Sequence, residues 1–399
     1  MSSAPPVRAP APAGRPEHGW LALPALVALL CGIGLMMVLS ASSVQALRAY
    51  GGPWVFFQRQ TLWVVAGAVG LAVAARVDYR RWRALALPLT LTSLVLLVAV
   101  LVPSVGVRAG GASRWLAVGP MRFQPSELAK LALLLFTAAV LADRTERRGR
   151  DAVVVRPVFV VTLPVLLLVL LQPDMGTAMV TLFVVVAVLF VGGVPLPRMA
   201  MLGMVTAVGS VLVGMAESYR RARIFAFLNP WEDPTNTGYQ IAQSLVALGS
   251  GQFTGVGLGA SRAKWGFLPN AHTDFIFAII GEELGLLGTI PVVGLFGAFA
   301  VLGVRTALRA PDRFGMLVAA GVTVWVVGQA MVNIGAVIGI LPVTGVPLPF
   351  VSFGGSSLFL TMVGVGNLAN VARQGAARDG GGRSARPRPL AHGRVQPPG

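Results

Sequence analysis

The chain has 399 residues, of which 55% are hydrophobic and only 12% charged, with a mean hydropathy of +0.75. A water-soluble domain of that composition could not cover its own surface, so the sequence describes a polytopic membrane protein. The formal net charge of +17 does not point to a nucleic-acid partner, because the basic residues are spread as a topology signal.

Residues 1–19, rich in Pro, Ala and Arg, are expected to form a disordered cytoplasmic tail. About ten apolar runs long enough to cross ~30 Å of hydrocarbon follow: 20–43, 54–75, 84–103, 124–142, 156–171, 176–193, 198–216, 274–304, 314–341 and 350–372. The first run leads through "SASSVQALRAYGG" straight into the second, which reads as a retained helix rather than a cleaved signal peptide. It holds the single cysteine, Cys31, so neither a disulfide nor a thiolate metal site can be built.

With the N-terminus in the cytoplasm, roughly two-thirds of the 32 basic residues fall on inside segments, where they also suit contact with anionic lipid. Both termini are then cytoplasmic, and residues 375–399 form a second, basic disordered tail. The fold class expected is an all-α polytopic membrane protein: about ten transmembrane helices in a domain over 20–374, with a large extracellular loop, 217–273, between helices seven and eight.

The first long outside connection is residues 104–123, "SVGVRAGGASRWLAVGPMRF"; connections of that length are usually functional or disordered, and here the sequence favours function. It runs into "RFQPSELAKLALLLF", with Pro125 in the first turn of span four and Ser126 and Glu127 as capping candidates. Arg122, Ser126 and Lys130 share one face if the helix extends back to Arg122. A lysine as deep as Lys130 costs a few kcal/mol unless it is paired or faces a wet cavity. It is therefore either an ion-pair partner of Glu127 or part of a substrate-anion site, and the sequence favours the second. In "LQPDMGTAM", Asp174 is placed to cap span six.

Within 217–273, the recurrence of Ile241, Leu245 and Leu248 in "GYQIAQSLVAL" predicts a short amphipathic helix at the membrane surface. The loop ends in "FLPNAHTDFIFAIIGEELG", residues 267–285. At about 100° per residue, Asp274, Ala278, Gly281, Gly285 and Gly288 lie on one helix face, with Glu282 about 80° and Glu283 about 180° away. That small-residue face would admit a ligand or another helix. Glu282 and Glu283 then read as structural, pairing with basic groups on other helices. Asp274 is either a helix N-terminal carboxylate following the cap Thr273 or a partly desolvated general base beside His272. Between spans nine and ten, "ILPVTGVPLPFVSFGGSS" sets Ser352, Ser356 and Ser357 beside Gly354 and Gly355, a polar and permissive backbone whose amides could hold an anion.

Together these passages resemble the SEDS family (FtsW, RodA and SpoVE) of peptidoglycan polymerases, its cell-division member more closely than its elongation member. The likeness runs from about Ser40 to Val371 and rests on "RWLAVGPMRFQPSELAKLA", "QPDMGTA", "FLNPWEDPTNTGYQIAQSLVALGSGQFTGVGLGASRAKWGFLP", "HTDFIFAIIGEELG" and "NIGAVIGILPVTGVPLPFVSFGGSS". The resemblance implies polymerisation of lipid II into glycan strands at the outer face of the cytoplasmic membrane, with a class B penicillin-binding protein and other division proteins as partners. It implies Asp274 as the general base, removing the proton from the acceptor GlcNAc 4-hydroxyl. That oxygen attacks C1 of the donor MurNAc with inversion, and undecaprenyl pyrophosphate leaves.

A departing pyrophosphate calls for cations, and Arg122, Lys130, Arg220, Arg221, Arg223 and Lys264 are the outside candidates. The family's polar groove adds Glu127, Gln240, Gln243, Ser352, Ser356 and Ser357, with His272 next to the base. A divalent cation, Mg or Mn, could share the phosphate load, although no metal-ligand spacing in the sequence indicates one. The chain departs from the family where it has Asn270 in place of Glu, Phe267 and Phe353 in place of Tyr, and "DPTNTGYQ" without the usual glycine. Asn270 removes a carboxylate four residues before Asp274, which favours a lone base. The competing reading from another class is a lipid II flippase using Lys130, Glu282 and Glu283 as path residues; a scaffold without chemistry is the third.

Overall fold

The computed structural model describes residues 19–109, 112–119, 121–148, 155–215, 229–236 and 238–384. Each of the ten apolar runs falls on a helix: α1 (Ala22–Tyr50), α2 (Val55–Arg76), α3 (Tyr79–Leu101), α4 (Pro125–Arg148), α5 (Val155–Leu171), α6 (Met175–Val191), α7 (Leu196–Met215), α9 (Ile276–Leu308), α10 (Arg313–Val337) and α11 (Gly355–Ser384). The eighth helix, α8 (Tyr239–Gly251), is the short one predicted in the long loop. Six of these helices, α1, α3, α4, α9, α10 and α11, are long and apolar enough to cross a membrane, and the protein is a multi-pass membrane protein. The most enclosed are α4 and α11, whose side chains face other helices, whereas α3 and α9 present mostly outward-facing apolar surface.

Three departures from the sequence reading have local causes. Residues 104–123 are not an irregular loop but carry an antiparallel sheet of β1 (Gly106–Ala109), β2 (Ala112–Val118) and β3 (Met121–Phe123), in the order β1-β2-β3. Leu116 pairs with both Gly106 and Phe123, and Gly119 supplies a left-handed φ of 59° in the second turn. Helix α3 starts five residues before the apolar run because Asp78 accepts a hydrogen bond from the Arg80 amide as its cap. Helix α11 runs on to Ser384, into the segment expected to be a disordered tail. Just before that segment the Gln374 side chain bonds Asp78 and Asn370, and within it Arg378 bonds the Pro311 carbonyl, tying this part of the helix to the α2–α3 and α9–α10 connections.

Helix α9 is broken inside. Gly285 has φ 63° and ψ −154°, so the helix-wheel alignment of Asp274 with Gly285 and Gly288 does not hold. The backbone groups freed by the break are satisfied by the segment after α8: Val256 and Gly257 amides donate to the Glu282 and Glu283 carbonyls at 2.9 and 3.0 Å, and the Leu286 and Leu287 amides donate to Gln252 and Phe253 carbonyls at 3.0 and 3.1 Å. A methyl group at Gly285 would stand 2.5 Å from the Gly255 nitrogen and 2.6 Å from the Phe253 carbonyl. Helix α8 itself does not merely lie on a surface. Ile241, Ala242 and Ala247 are buried, and its last residue Gly251 crosses so close to Gly281 that a Cβ would meet the Gly281 oxygen at 1.8 Å. The small-residue face of α9 is thus occupied by α8 and leaves no room for a sugar.

Gly285→Ala combines a left-handed backbone with a backbone clash, and should destabilise the protein by more than about 2 kcal/mol. Thermal melting of the purified protein in detergent checks it; an unchanged midpoint would mean the break is not enforced by this glycine.

Candidate active site

Four of the Pro- and Gly-containing passages meet at one end of the bundle, and Gln124 joins them. It precedes Pro125, the first residue of α4, where proline's missing N–H costs nothing. The Gln124 amide donates to Ser356 Oγ at 3.2 Å, and its side chain donates to Ser126 Oγ at 3.1 Å and to Asp174 Oδ2 at 2.9 Å. Asp174 caps α6 by accepting from the Thr177 amide at 3.2 Å. Arg114, on β2, donates to the Gln172 carbonyl at 3.0 Å and to the Pro173 carbonyl, with its guanidinium 4.0 Å from Asp174. The sheet, α4, α6 and the head of α11 are thereby locked together through buried side chains: Ser126, Asp174 and Ser356 are each 3% exposed or less.

A second set of bonds runs along α10. Lys130, 1% exposed, makes a 2.9 Å ion pair with Glu127 and donates to Gln329 Oε1 at 3.0 Å, with Trp325 beside it. Of the two sequence alternatives for Lys130, the structure shows the ion pair, and one Glu127 oxygen is buried with no hydrogen-bond partner among the described residues. Gln329 donates to the Pro347 carbonyl at 2.9 Å. One turn later Asn333 donates to the Val346 carbonyl at 2.8 Å and to the Asp274 carbonyl at 2.7 Å.

Asp274 lies in the turn ahead of α9 rather than on the helix, which begins at Ile276 with Phe275 as a cap lacking a side-chain bond. Thr273 is therefore not the cap; its hydroxyl donates to the Asn270 carbonyl. That one carbonyl also accepts from the Thr273, Asp274 and Phe275 amides at 3.1, 3.1 and 3.3 Å. Asn270 takes φ 57°, a left-handed conformation that Asn adopts more readily than most residues. The Asp274 carboxylate faces Gly345, at which an added Cβ would be 3.8 Å from Oδ2. His272, 7% exposed, sits between the rings of Phe56 and Phe353 at centroid distances of 4.8 and 5.7 Å. Burial pushes its imidazole down to about 4, so it is neutral at physiological pH.

The other predicted residues divide into three groups. Ser352 accepts from the Leu348 amide at 2.8 Å while its carbonyl takes the Gln60 side chain at 3.1 Å; Ser357 is buried in the first turn of α11, and Gln240 and Gln243 are half-buried on α8. Arg122 is exposed on β3 and shares no helix face with Ser126 and Lys130, because the chain there is a strand. Lys264 is drawn inward, its side chain 6% exposed and 3.6 Å from Glu283. Glu282 and Glu283 are buried as expected of structural residues. Glu283 pairs with a basic group, Lys264 on the 3-10 turn Ala263–Trp265 in the loop after α8, and with Ser40 on α1, whereas Glu282 is held by Ser261 and backbone amides of that loop rather than by a basic side chain. Arg220, Arg221 and Arg223 lie outside the described residues. Gln60, Gln124, Gln329 and Asn333 were missed by sequence reasoning, and their one signal was a buried amide in or against an apolar span.

Fold and site together define a helical multi-pass membrane protein with a carboxylate mounted among buried polar bonds at one end. The family model described as cell cycle protein, covering FtsW, RodA and SpoVE, matches residues 21–377, and the chain belongs to that family. It is 45% identical over 349 residues to the probable peptidoglycan glycosyltransferase FtsW of Geobacter metallireducens, covering 87% of this chain and 92% of that protein. It is 41% identical to stage V sporulation protein E of Bacillus subtilis, covering 88% of this chain and 96% of that one. Among solved structures it matches a chain of a peptidoglycan synthase complex with TM-score 0.71 and 32% identity, over 89% of this chain and 97% of that chain. It also matches Thermus thermophilus RodA with TM-score 0.64 and 32% identity, over 88% and 96%.

Because the folded protein keeps His272 neutral from its ordinary value of 6.5 down to about 4 while the unfolded chain takes up the proton, stability is full above pH 6.5 and declines as pH falls through that window. The decline is at most about 1.4 kcal/mol per pH unit. Melting curves across the window check it, and His272→Phe should show a shallower pH dependence than the wild type.

Proposed function

We propose that the protein is a peptidoglycan glycosyltransferase that polymerises lipid II into glycan strands at the outer face of the cytoplasmic membrane during cell division. In this reading the ten long helices cross the membrane, both termini are cytoplasmic, and the Asp274 end of the bundle faces outward. The Asp274 carboxylate takes the proton from the acceptor GlcNAc 4-hydroxyl. The oxygen forms a bond to C1 of the donor MurNAc as the bond from C1 to the pyrophosphate oxygen breaks, with inversion, and undecaprenyl pyrophosphate leaves.

The observation that carries this reading is the mounting of Asp274. Its backbone is held on both sides, by Asn333 at its carbonyl and by Asn270 at its amide, and its Oδ2 lies beside Gly345. It is the only carboxylate between Gly266 and Gly281, and His272 beside it is a neutral, buried ring, so the turn offers a single base. Of the cations assigned to the leaving group, Arg122 is exposed, whereas Lys130 and Lys264 are engaged in internal ion pairs. Among the described residues no group of three or more His, Cys, Asp or Glu could cage an ion. In this reading a divalent cation, Mg or Mn, shares the charge of the substrate's pyrophosphate. The transporter reading loses ground because Lys130, Glu282 and Glu283, its path residues, are 1%, 3% and 0% exposed and bonded internally. The partner we assign is a class B penicillin-binding protein, the natural complement of a glycan polymerase; a solved relative belongs to a peptidoglycan synthase complex.

Purified lipid II incubated with the protein and its transpeptidase partner should give glycan strands, and Asp274→Ala should give none. Strands of normal yield from the variant would remove Asp274 as the base. Wild-type protein that moved lipid II between leaflets without polymerising it would favour the flippase.

A further inference from the structure

Lys264 stands at the centre of a buried cluster that the glycosyl transfer does not use directly. Glu283, fully buried, accepts from Ser40 Oγ at 2.6 and 2.8 Å and from the Ser261 amide at 3.3 Å, and lies 3.6 Å from Lys264 Nζ. Lys264 Nζ also donates to Ser40 Oγ at 3.4 Å and to the Gly259 carbonyl at 2.5 Å. Next to it, Glu282 accepts from Ser261 Oγ at 2.5 Å and from the Arg262 and Ala263 amides at 2.9 and 3.3 Å. Two adjacent buried carboxylates persist only where they are paired and hydrogen-bonded this fully.

The cluster joins three pieces of the protein: Ser40 is on α1, Lys264 on the loop after α8, and Glu283 on α9 just before the break at Gly285. Between it and the candidate base the loop is short and makes backbone bonds at both ends. The Leu268 amide donates to the Ala263 carbonyl at 2.9 Å, Leu268 is 3% exposed, and two residues later the Asn270 carbonyl gathers the amides of the Asp274 turn. Beyond Lys264, α1 and this loop part company. A cavity of about 590 Å³ opens between Ala41, Gln45 and Arg48 on one side and Lys264, Trp265, Gly266 and Asn270 on the other. Alongside this opening, the bonds at Ser40 link α1 directly to Lys264 on the loop and to Glu283 on α9.

We propose that Ser40, Lys264 and Glu283 are positioning residues for glycan polymerisation: they tether the loop that ends in Asp274 to α1, and Lys264 acts through Glu283 rather than on the departing pyrophosphate. The inference rests on Asp274 being the base. It predicts that the loop's position, and with it the rate of the chemical step, depends on a hydrogen bond in the first membrane helix about 230 residues away in sequence. It also accounts for a lysine whose side chain is 6% exposed and whose Nζ is taken up by Glu283, Ser40 and the Gly259 carbonyl.

The test is a double-mutant cycle on the full-length protein with its partner, following initial polymerisation rates against lipid II concentration. Lys264→Met and Glu283→Gln should each lower kcat about tenfold with KM changed by no more than about twofold, and the double variant should be no slower than the slower single one. Ser40→Ala should lower kcat about threefold and Ser40→Thr should restore it, while Ser43→Ala on the same helix should match wild type. Losses that multiply in the double variant, or a raised KM for Lys264→Met alone, would place Lys264 on the substrate and overturn the tether. If Glu283→Gln does not purify as folded protein, Ser40→Ala with Lys264→Met carries the cycle. Asp274→Ala measured alongside separates the two claims: an active Asp274→Ala defeats the base, whereas an inactive one with multiplicative losses defeats only the tether.

Discussion

Irregular backbone inside a membrane protein must find partners for every carbonyl and amide it exposes, and that demand shapes the whole Asp274 end of this bundle. The segment between α10 and α11 is not helical, and it runs beside the turn that carries Asp274. Two amides one helical turn apart on α10 meet the need. Gln329 takes the Pro347 carbonyl, and Asn333 takes both Val346 and Asp274. Because Gln329 also receives Lys130, the ion pair with Glu127 and the position of Asp274 belong to one connected set of bonds.

The same demand recurs at Gly285. Breaking α9 there frees backbone groups that the segment after α8 fills like a strand laid into the gap. That places the loop beside Glu282 and Glu283, whose carboxylates then hold Ser261, Arg262 and Lys264. A helix break, which by itself is a cost, thus becomes the point where the loop leading to Asp274 is fixed. On the far side of Asp274, the neutral ring of His272 packed between Phe56 and Phe353 closes the turn against α2 and the head of α11.

Much of the architecture was legible in the sequence because length and hydropathy set it. The apolar runs, the short helix in "GYQIAQSLVAL", the cap at Asp174 and the proximity of Lys130 to Glu127 all follow from local spacing. What was not legible depends on where the chain returns. Gly285 in a small-residue pattern reads as an open helix face, and only the approach of Gly255 and Phe253 shows it as a break. Lys264 reads as an exposed cation, since its partner Glu283 lies 19 residues on across that break. Gln124 carries no motif of its own, yet it joins its own segment to two others far away in sequence, at Asp174 and Ser356. Asn270, which looked like a lost carboxylate, occupies a left-handed turn position that asparagine suits.

A lone base serves polymerisation only if it is held still, so the central claim is that the Asp274 turn is as rigid as the helices around it. Hydrogen exchange at the Thr273, Asp274 and Phe275 amides, all bonded to the Asn270 carbonyl, measures this directly. The account predicts protection comparable to the middle of α10, lost when Asn333 is replaced by Leu. Exchange at the rate of an open loop in the wild-type protein, or protection unaffected by Asn333→Leu, would contradict it.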